Sequence, residues 1–246
     1  MPILRPFFTY FGGKFRGQRY YPHPIHKIII EPFAGSAGYS LHHPSRRVLL
    51  YDLDPRICGV WNYLIKVTPE EVHKLPTRFD DVRDLHIPQE ARDLIGFWLN
   101  IAQAAPACKP SLWVRQKRAL GDDRCYLWNI SVRSRIAYQV NYIRHWRVFN
   151  KSYRNMGNVE ATWFIDPPYS VAGTKYKFGP SLLDYDHLSE WCKNRKGQVI
   201  VCENVGADWL PFQHLRTMQS SNYKDGKRVT HEAIWTNQPD LIPERV

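Results

Sequence analysis

The sequence predicts an α/β protein built on a largely parallel sheet, and three observations carry that expectation. Four short runs are almost continuously apolar: Lys27–Glu31, Arg46–Asp52, Ala161–Asp166 and Gly197–Glu203. Each ends in an acidic residue, as strands buried on both faces and opening onto a polar edge do. Amphipathic segments lie between them, and strand–helix alternation is the signature of such a sheet. The third observation is length: 246 residues fit one domain, or one domain carrying an insertion.

The elements follow in order. Pro55–Lys66 reads as a helix with Ile57, Trp61, Leu64 and Ile65 on roughly one face. Ser131–Phe149 reads as a long helix, with Val132, Ile136, Val140 and Ile143 on one stripe. Tyr185–Lys193 reads as a third helix, and Val229–Thr236 as a fifth strand with partial alternation. The stretch 76–130 breaks the rhythm with Pro, Trp, basic residues and the turn signal Gly121-Asp122-Asp123. It reads as an insertion, so the expected domains are 1–75 with 131–246, and 76–130 set between them.

Composition narrows the function classes. Hydrophobic residues make up 43%, which argues against disorder. No apolar run is long enough to span a bilayer, and Arg5, Lys14 and Arg16 interrupt any signal-peptide core. A soluble protein of the cytoplasm, without membrane partners and acting as a monomer, is the expectation. The five cysteines have no CxxC spacing, and the histidines no ligand spacing, so neither a disulfide framework nor a metal site is expected. The net charge is +11, and its placement is uneven. Residues 1–30 carry five Lys/Arg and no acid, and residues 109–154 carry eleven Lys/Arg against two acids. The second stretch also holds Trp113, Tyr126, Trp128, Tyr138 and Trp146, a composition suited to phosphate contact and base stacking. A solvated helix face is the plainer reading of the same charges.

Four motifs carry chemistry. Asp166-Pro167-Pro168-Tyr169 directly follows an apolar strand, where ligands bind in open α/β sheets. Its prolines fix the backbone and leave carbonyls free to accept; Asp166 adds a carboxylate and Tyr169 a flat ring. That set suits a planar base bearing an amine. An ordinary Pro-rich turn fits the same residues. Glu31-Pro32-Phe33-Ala34-Gly35-Ser36-Ala37-Gly38 follows the first strand, and its small residues admit close approach of a ligand, or form a tight turn. Asp52 ends the next strand, where an acid commonly binds ribose hydroxyls. Asp54 suits that neighbourhood or the cap of the helix that Pro55 opens. Thr9-Tyr10-Phe11-Gly12-Gly13-Lys14 offers a flexible turn and a cation, or is simply a basic N-terminal stretch.

In this order, Tyr10–Lys14, Glu31–Gly38, Tyr51–Asp54 and Asp166–Tyr169, the motifs resemble the Dam-type family of DNA adenine-N6 methyltransferases. The resemblance covers roughly residues 1–75 and 131–236, and the fragments Phe97–Asn100 and Lys109–Trp113 look like a phage-borne branch. It implies a Rossmann-like S-adenosylmethionine-dependent methyltransferase sheet with a small inserted target-recognition domain. It implies S-adenosylmethionine as cofactor, no metal, and double-stranded DNA as partner. Tyr10 and Lys14 would hold the methionine end of the cofactor. Pro32, Phe33, Gly35 and Ser36 would pass beneath it, Asp52 would take the ribose, and Asp166 would sit where cofactor and target amine meet. Asp166, Pro167 and Tyr169 would be catalytic, acting on an adenine flipped out of the duplex. Arg115, Lys117, Arg118, Arg124, Arg133, Lys227 and Arg228 would contact DNA. The sequence departs from the family at Asp54, where an Asn is frequent, and at Tyr10, where a Trp is.

Other readings stay open. A cytosine-N4 enzyme usually begins its tetrapeptide with Ser, which Asp166 opposes. A methyltransferase acting on RNA or protein, and a binding module without catalysis, share parts of the pattern. Glu203 and Asn204 fit a pocket wall or a cap, and the Asp225-Gly226 hairpin with Lys224, Lys227 and Arg228 fits a phosphate contact or a solvated loop.

Overall fold

The computed structural model describes residues 2–100, 103–120, 127–170, 178–220 and 228–243. Seven strands form one sheet: β1 (Ile28–Glu31), β2 (Arg47–Asp52), β3 (Arg147–Asn150), β4 (Ala161–Ile165), β5 (Gly197–Asn204), β6 (Gln213–Ser220) and β7 (Arg228–Thr236). Their order is β3-β2-β1-β4-β5-β7-β6. The first five run parallel, β7 pairs antiparallel with β5, and β6 pairs antiparallel with β7. The order reverses between β1 and β4, so this is a Rossmann-like, doubly wound sheet with its binding crevice expected at the carboxyl ends of those strands.

The sequence accounts for the central strands. All five residues of β4, Ala161–Ile165, are buried, as the continuous apolar run predicts. Helix α1 (Pro55–Lys66) starts where expected, with Pro55 at its first position and the Asp54 side chain accepting from the Arg56 backbone N–H at 3.0 Å. Asp54 is therefore the helix cap. Its carboxylate is further engaged by the Arg56 guanidinium at 2.6 Å. Helix α6 (Tyr185–Lys193) also lies where its pattern places it, capped by Asp184.

Two expectations need correction. The long helix predicted over Ser131–Phe149 ends early: α5 spans Ile130–Gln139, a 3-10 turn continues to Ile143, and Arg147–Asn150 is the edge strand β3. The stripe of Val132, Ile136, Val140 and Ile143 stops at the 3-10 turn, and Val148 and Phe149 fall off its face. A four-residue edge strand pairing on one side only has too little pattern of its own to outweigh it. The antiparallel strand β6 also went unread, because its residues carry little apolar alternation.

The stretch 76–130 forms no core of its own among the described residues. Helix α3 (Gln89–Leu99) packs on α1, and Phe79, Val82, Leu94, Ile95, Phe97 and Trp128 join the same apolar cluster as the sheet. Trp128 is fully buried and donates its indole N–H to the Pro76 carbonyl at 2.8 Å. At the other neck, the Val82 N–H meets the Cys108 carbonyl at 2.9 Å. The chain beyond that neck holds α4 (Leu112–Ala119), which presents Leu112 and Trp113 to solvent, 62% and 58% exposed. A short helix α2 (Pro69–Lys74), closed by a Thr68–Glu71 capping box, packs on α5. Cys58, Cys108, Cys192 and Cys202 are free thiols. No helix among the described residues is long and apolar enough to cross a membrane.

Candidate active site

Three segments meet at the carboxyl ends of β1, β2 and β4. The first is the turn after β1. Gly35 (φ +44°) and Ala37 (φ +50°) both adopt left-handed backbone, so the chain doubles back tightly. The turn is fixed from below. The Asp52 carboxylate accepts from the Gly35 N–H at 3.0 Å and from the Asp54 N–H at 2.9 Å, and the Trp61 indole donates to the Gly35 carbonyl at 2.9 Å.

The second segment is Tyr10–Lys14, which lies directly against that turn. A side-chain carbon on Gly38 would fall 2.6 Å from the Phe15 nitrogen and 2.9 Å from the Lys14 nitrogen. The missing side chain is what lets the two backbones approach. The Thr9 hydroxyl bonds the Phe97 carbonyl, and the Phe11 N–H donates to the Gln103 carbonyl at 3.2 Å, so α3 and the following chain support this segment.

The third segment is Asp166–Tyr169. Lys14 is buried, and its ammonium sits 2.9 Å from the Asp166 carboxylate, 2.8 Å from the Gly12 carbonyl and 4.8 Å from the centroid of the Tyr169 ring. Burial pulls the Lys14 pKa down, but Asp166, with Cys202 and Glu232 nearby, outweighs it and leaves the ammonium above its ordinary value. Burial lifts Asp166 above the ordinary carboxylate range, and Lys14 opposes that rise. The Tyr185 hydroxyl donates to the Pro168 carbonyl at 2.6 Å.

A cleft of about 900 Å³ joins these parts. Tyr10 through Lys14, Pro32, Phe33, Gly35, Ser36, Asp52, Asp166 and Pro168 line it. Every residue the sequence proposed for the cofactor is therefore on its wall. Pro167 and Tyr169 are not among the lining residues: Pro167 is buried, and Tyr169 lies half-buried beneath Lys14. Two carboxylates on the wall are held partly neutral. Burial pushes Asp52 up to about 6, against the N–H groups of Asp54 and Gly35. Burial pushes Glu31 up to about 8, against its bonds from Ser40.

Sequence reasoning missed the far wall. Tyr153, Phe178, Leu182 and Leu183 face the cleft, and Tyr153 packs on Phe33 with ring centroids 5.6 Å apart. Tyr153 follows β3, so recognising that strand would have placed it at the same edge. Glu203 is fully buried and does not line the cleft.

The basic residues fall in different places. Arg115 is exposed on α4, Lys117 is half-buried there, and Arg118 belongs to the same helix. Arg228 begins β7. Arg133 is committed to the fold, with Nη1 donating to the Leu75 carbonyl at 2.8 Å. Arg124 and Lys227, like Lys224 through Gly226, lie outside the described residues.

No protein-family profile and no curated protein sequence matches the chain. Among solved structures it is similar to an rRNA methyltransferase, aviRa, from Streptomyces viridochromogenes, at 13% identity and a TM-score of 0.38, covering 90% of this chain and 80% of that one. It is similar to yhhF of Escherichia coli, assigned as a methyltransferase, at 10% identity and a TM-score of 0.31, covering 84% and 73%. A conserved hypothetical protein from Streptococcus pyogenes gives 10% identity and a TM-score of 0.33, covering 87% and 88%. Scores this low carry no inference about reaction or substrate.

Proposed function

We propose that this protein is an S-adenosylmethionine-dependent DNA methyltransferase acting on the N6 amine of adenine. One observation carries the reading: the Gly35 turn with Asp52, and Asp166 with its Lys14 partner, open into a single cleft. A carboxylate at the end of the second strand, a tight turn of small residues and two aromatic side chains, Phe33 and Tyr153, suit a ribose, a close backbone approach and an adenine ring. The donor set thus fits an adenosine-bearing cofactor. When bound, S-adenosylmethionine supplies an electrophilic methyl group on its sulfonium.

The chain's own residues do the rest. The base must leave the duplex to reach Asp166, which costs a few kcal/mol of unstacking. The Asp166 carboxylate and a proline carbonyl accept the N6 hydrogens and hold the amine lone pair towards the methyl group. The Pro168 carbonyl accepts from Tyr185, and the Pro167 carbonyl is the one assigned to the amine. Lys14, held protonated on the wall of the same cleft, keeps Asp166 aligned as an acceptor. The rate advantage comes from positioning and electrostatics. Exposed Arg115, with Lys117, Arg118, Arg124, Lys227 and Arg228, is assigned to phosphates, and Trp113 on α4 supplies an exposed ring.

The test is incubation of the purified protein with unmethylated genomic DNA and labelled S-adenosylmethionine, read by nucleoside mass spectrometry and modification-aware sequencing. N6-methyladenine in a short defined motif is the expected result. N4-methylcytosine, or label on RNA alone, would reassign the substrate. Cofactor bound with no methylated product would make the chain a binding module.

A further inference from the structure

Glu203 is the last residue but one of β5, is fully buried, and no cation pairs with it among the described residues. Among the described residues its carboxyl group accepts from four donors. Oε2 accepts from the Ser170 N–H at 3.0 Å, the Ser170 hydroxyl at 3.2 Å and the Trp209 indole at 3.1 Å. Oε1 accepts from the Asn204 N–H at 2.9 Å. A buried carboxylate without a cation is costly, and its donors must be well placed to hold it. Three of the four come from Ser170 and Trp209, and Ser170 is the residue directly after Tyr169.

The other flank of Tyr169 is held as well. Tyr185 donates to the Pro168 carbonyl at 2.6 Å, and its ring packs on Trp209 with centroids 5.5 Å apart. Trp209 thus touches both holders. The backbone on each side of Tyr169 is anchored by one connected group from β5, α6 and the loop after β5, while Lys14 sits over the ring.

We infer that Glu203, Tyr185 and Trp209 form a clasp that sets the orientation of the Asp166–Tyr169 acceptor group, with Glu203 and Tyr185 as positioning residues for transfer to the target amine. The inference rests on the reading of that tetrapeptide as the target-amine site. The clasp engages the Pro168 carbonyl through one of its two lone pairs and leaves Asp166 as the carboxylate acceptor on the cleft wall. It acts on the target side of the cleft and leaves the Gly35–Asp52 side untouched.

The experiment compares wild type with Glu203→Gln and Tyr185→Phe in three readouts: amide hydrogen exchange over 165–170, S-adenosylmethionine affinity by calorimetry, and single-turnover methylation of DNA. The Gln amide turns N–H groups towards N–H donors. Exchange at Tyr169 and Ser170 in Glu203→Gln should rise about tenfold or more as a charged hydrogen bond is lost. Turnover should fall about 100-fold through misplacement of the acceptors, with cofactor affinity within about threefold of wild type. Tyr185→Phe should show the same split to a smaller degree, and it carries the test alone if Glu203→Gln does not fold. Unchanged exchange, retained turnover, or a parallel loss of cofactor affinity and turnover would overturn the clasp. A wild type that methylates no DNA sinks the methyltransferase reading, while hydrogen exchange still decides whether the clasp holds the tetrapeptide.

Discussion

The two sides of the cleft are built by different means. On the side proposed for the cofactor, Asp52, the Gly35 turn and Trp61 bond one another within a span of 27 residues, from 35 to 61. On the side proposed for the target, Asp166–Ser170 is held by Lys14 from the N-terminal segment, by Tyr185 from α6 and by Glu203 from β5. The first side is a local design, stabilised largely by backbone N–H groups. The second is assembled from the whole chain, so it can be disturbed from far away without touching the first. Perturbations should therefore separate cleanly into binding effects and turnover effects.

The sharpest separation is expected at Asp166. Asp166→Ala should cut single-turnover methylation by more than about 10³-fold, since it removes both an acceptor and the partner of Lys14. Calorimetry should show cofactor affinity little changed. Turnover close to wild type would break the assignment of the target side.

Glu31 tests the cofactor side through pH. Its pKa is raised from 4.5 to about 8 in the folded protein. A raised value means that the stability it contributes is fully present below the unfolded value and is lost as pH rises through about 8. Wild type should therefore lose roughly 3–5 kcal/mol relative to Glu31→Gln between pH 5 and pH 9. Parallel denaturation curves for the two proteins would contradict the buried, ionisable Glu31.

Asp52→Ala should weaken S-adenosylmethionine binding about 10- to 100-fold, the loss expected for hydrogen bonds to a charged group. At saturating cofactor, turnover should stay near wild type. Because Asp52 titrates near 6, wild-type affinity should also fall as pH drops below about 6, and Asp52→Asn should flatten that dependence. A turnover defect that saturating cofactor cannot rescue would blur the two sides. The smallest effect belongs to α4: Arg115→Ala and Lys117→Ala should each weaken duplex binding a few-fold and reduce the salt slope by about 1. Titrations of duplex DNA across salt concentrations check this, and an unchanged slope removes α4 from the interface.

The same contrast explains what could be read in the sequence. Asp52, Gly35 and Asp54 were legible because strand, turn and helix start follow one another, each with its own local signal. Asp166 was legible because it ends a strand buried on both faces. Its partners were not. Lys14 was visible as a cation, but its partner lies on β4, and nothing at residue 14 points there. Glu203 looked equally like a pocket wall or a cap, since its donors are contributed by Ser170 and Trp209. Tyr153 was hidden because the helix expected over Ser131–Phe149 covered most of β3. The short apolar stretches of α3 looked like part of an insertion because Pro88 and Pro106 bracket them, although they complete the core under Tyr10.

The double neck of the excursion after α3 has a consequence for how such a protein diversifies. Val82 with Cys108, and Trp128 with Pro76, pin the chain on either side of residues 109–127 to the body of the fold. The segment between the pins can change length and composition while the reacting groups stay where they are. On the proposed reading as a DNA methyltransferase, a graft of another 109–127 segment onto this body should keep the chemistry and change the DNA motif. Sequence preference would then be an exchangeable part on a fixed chassis.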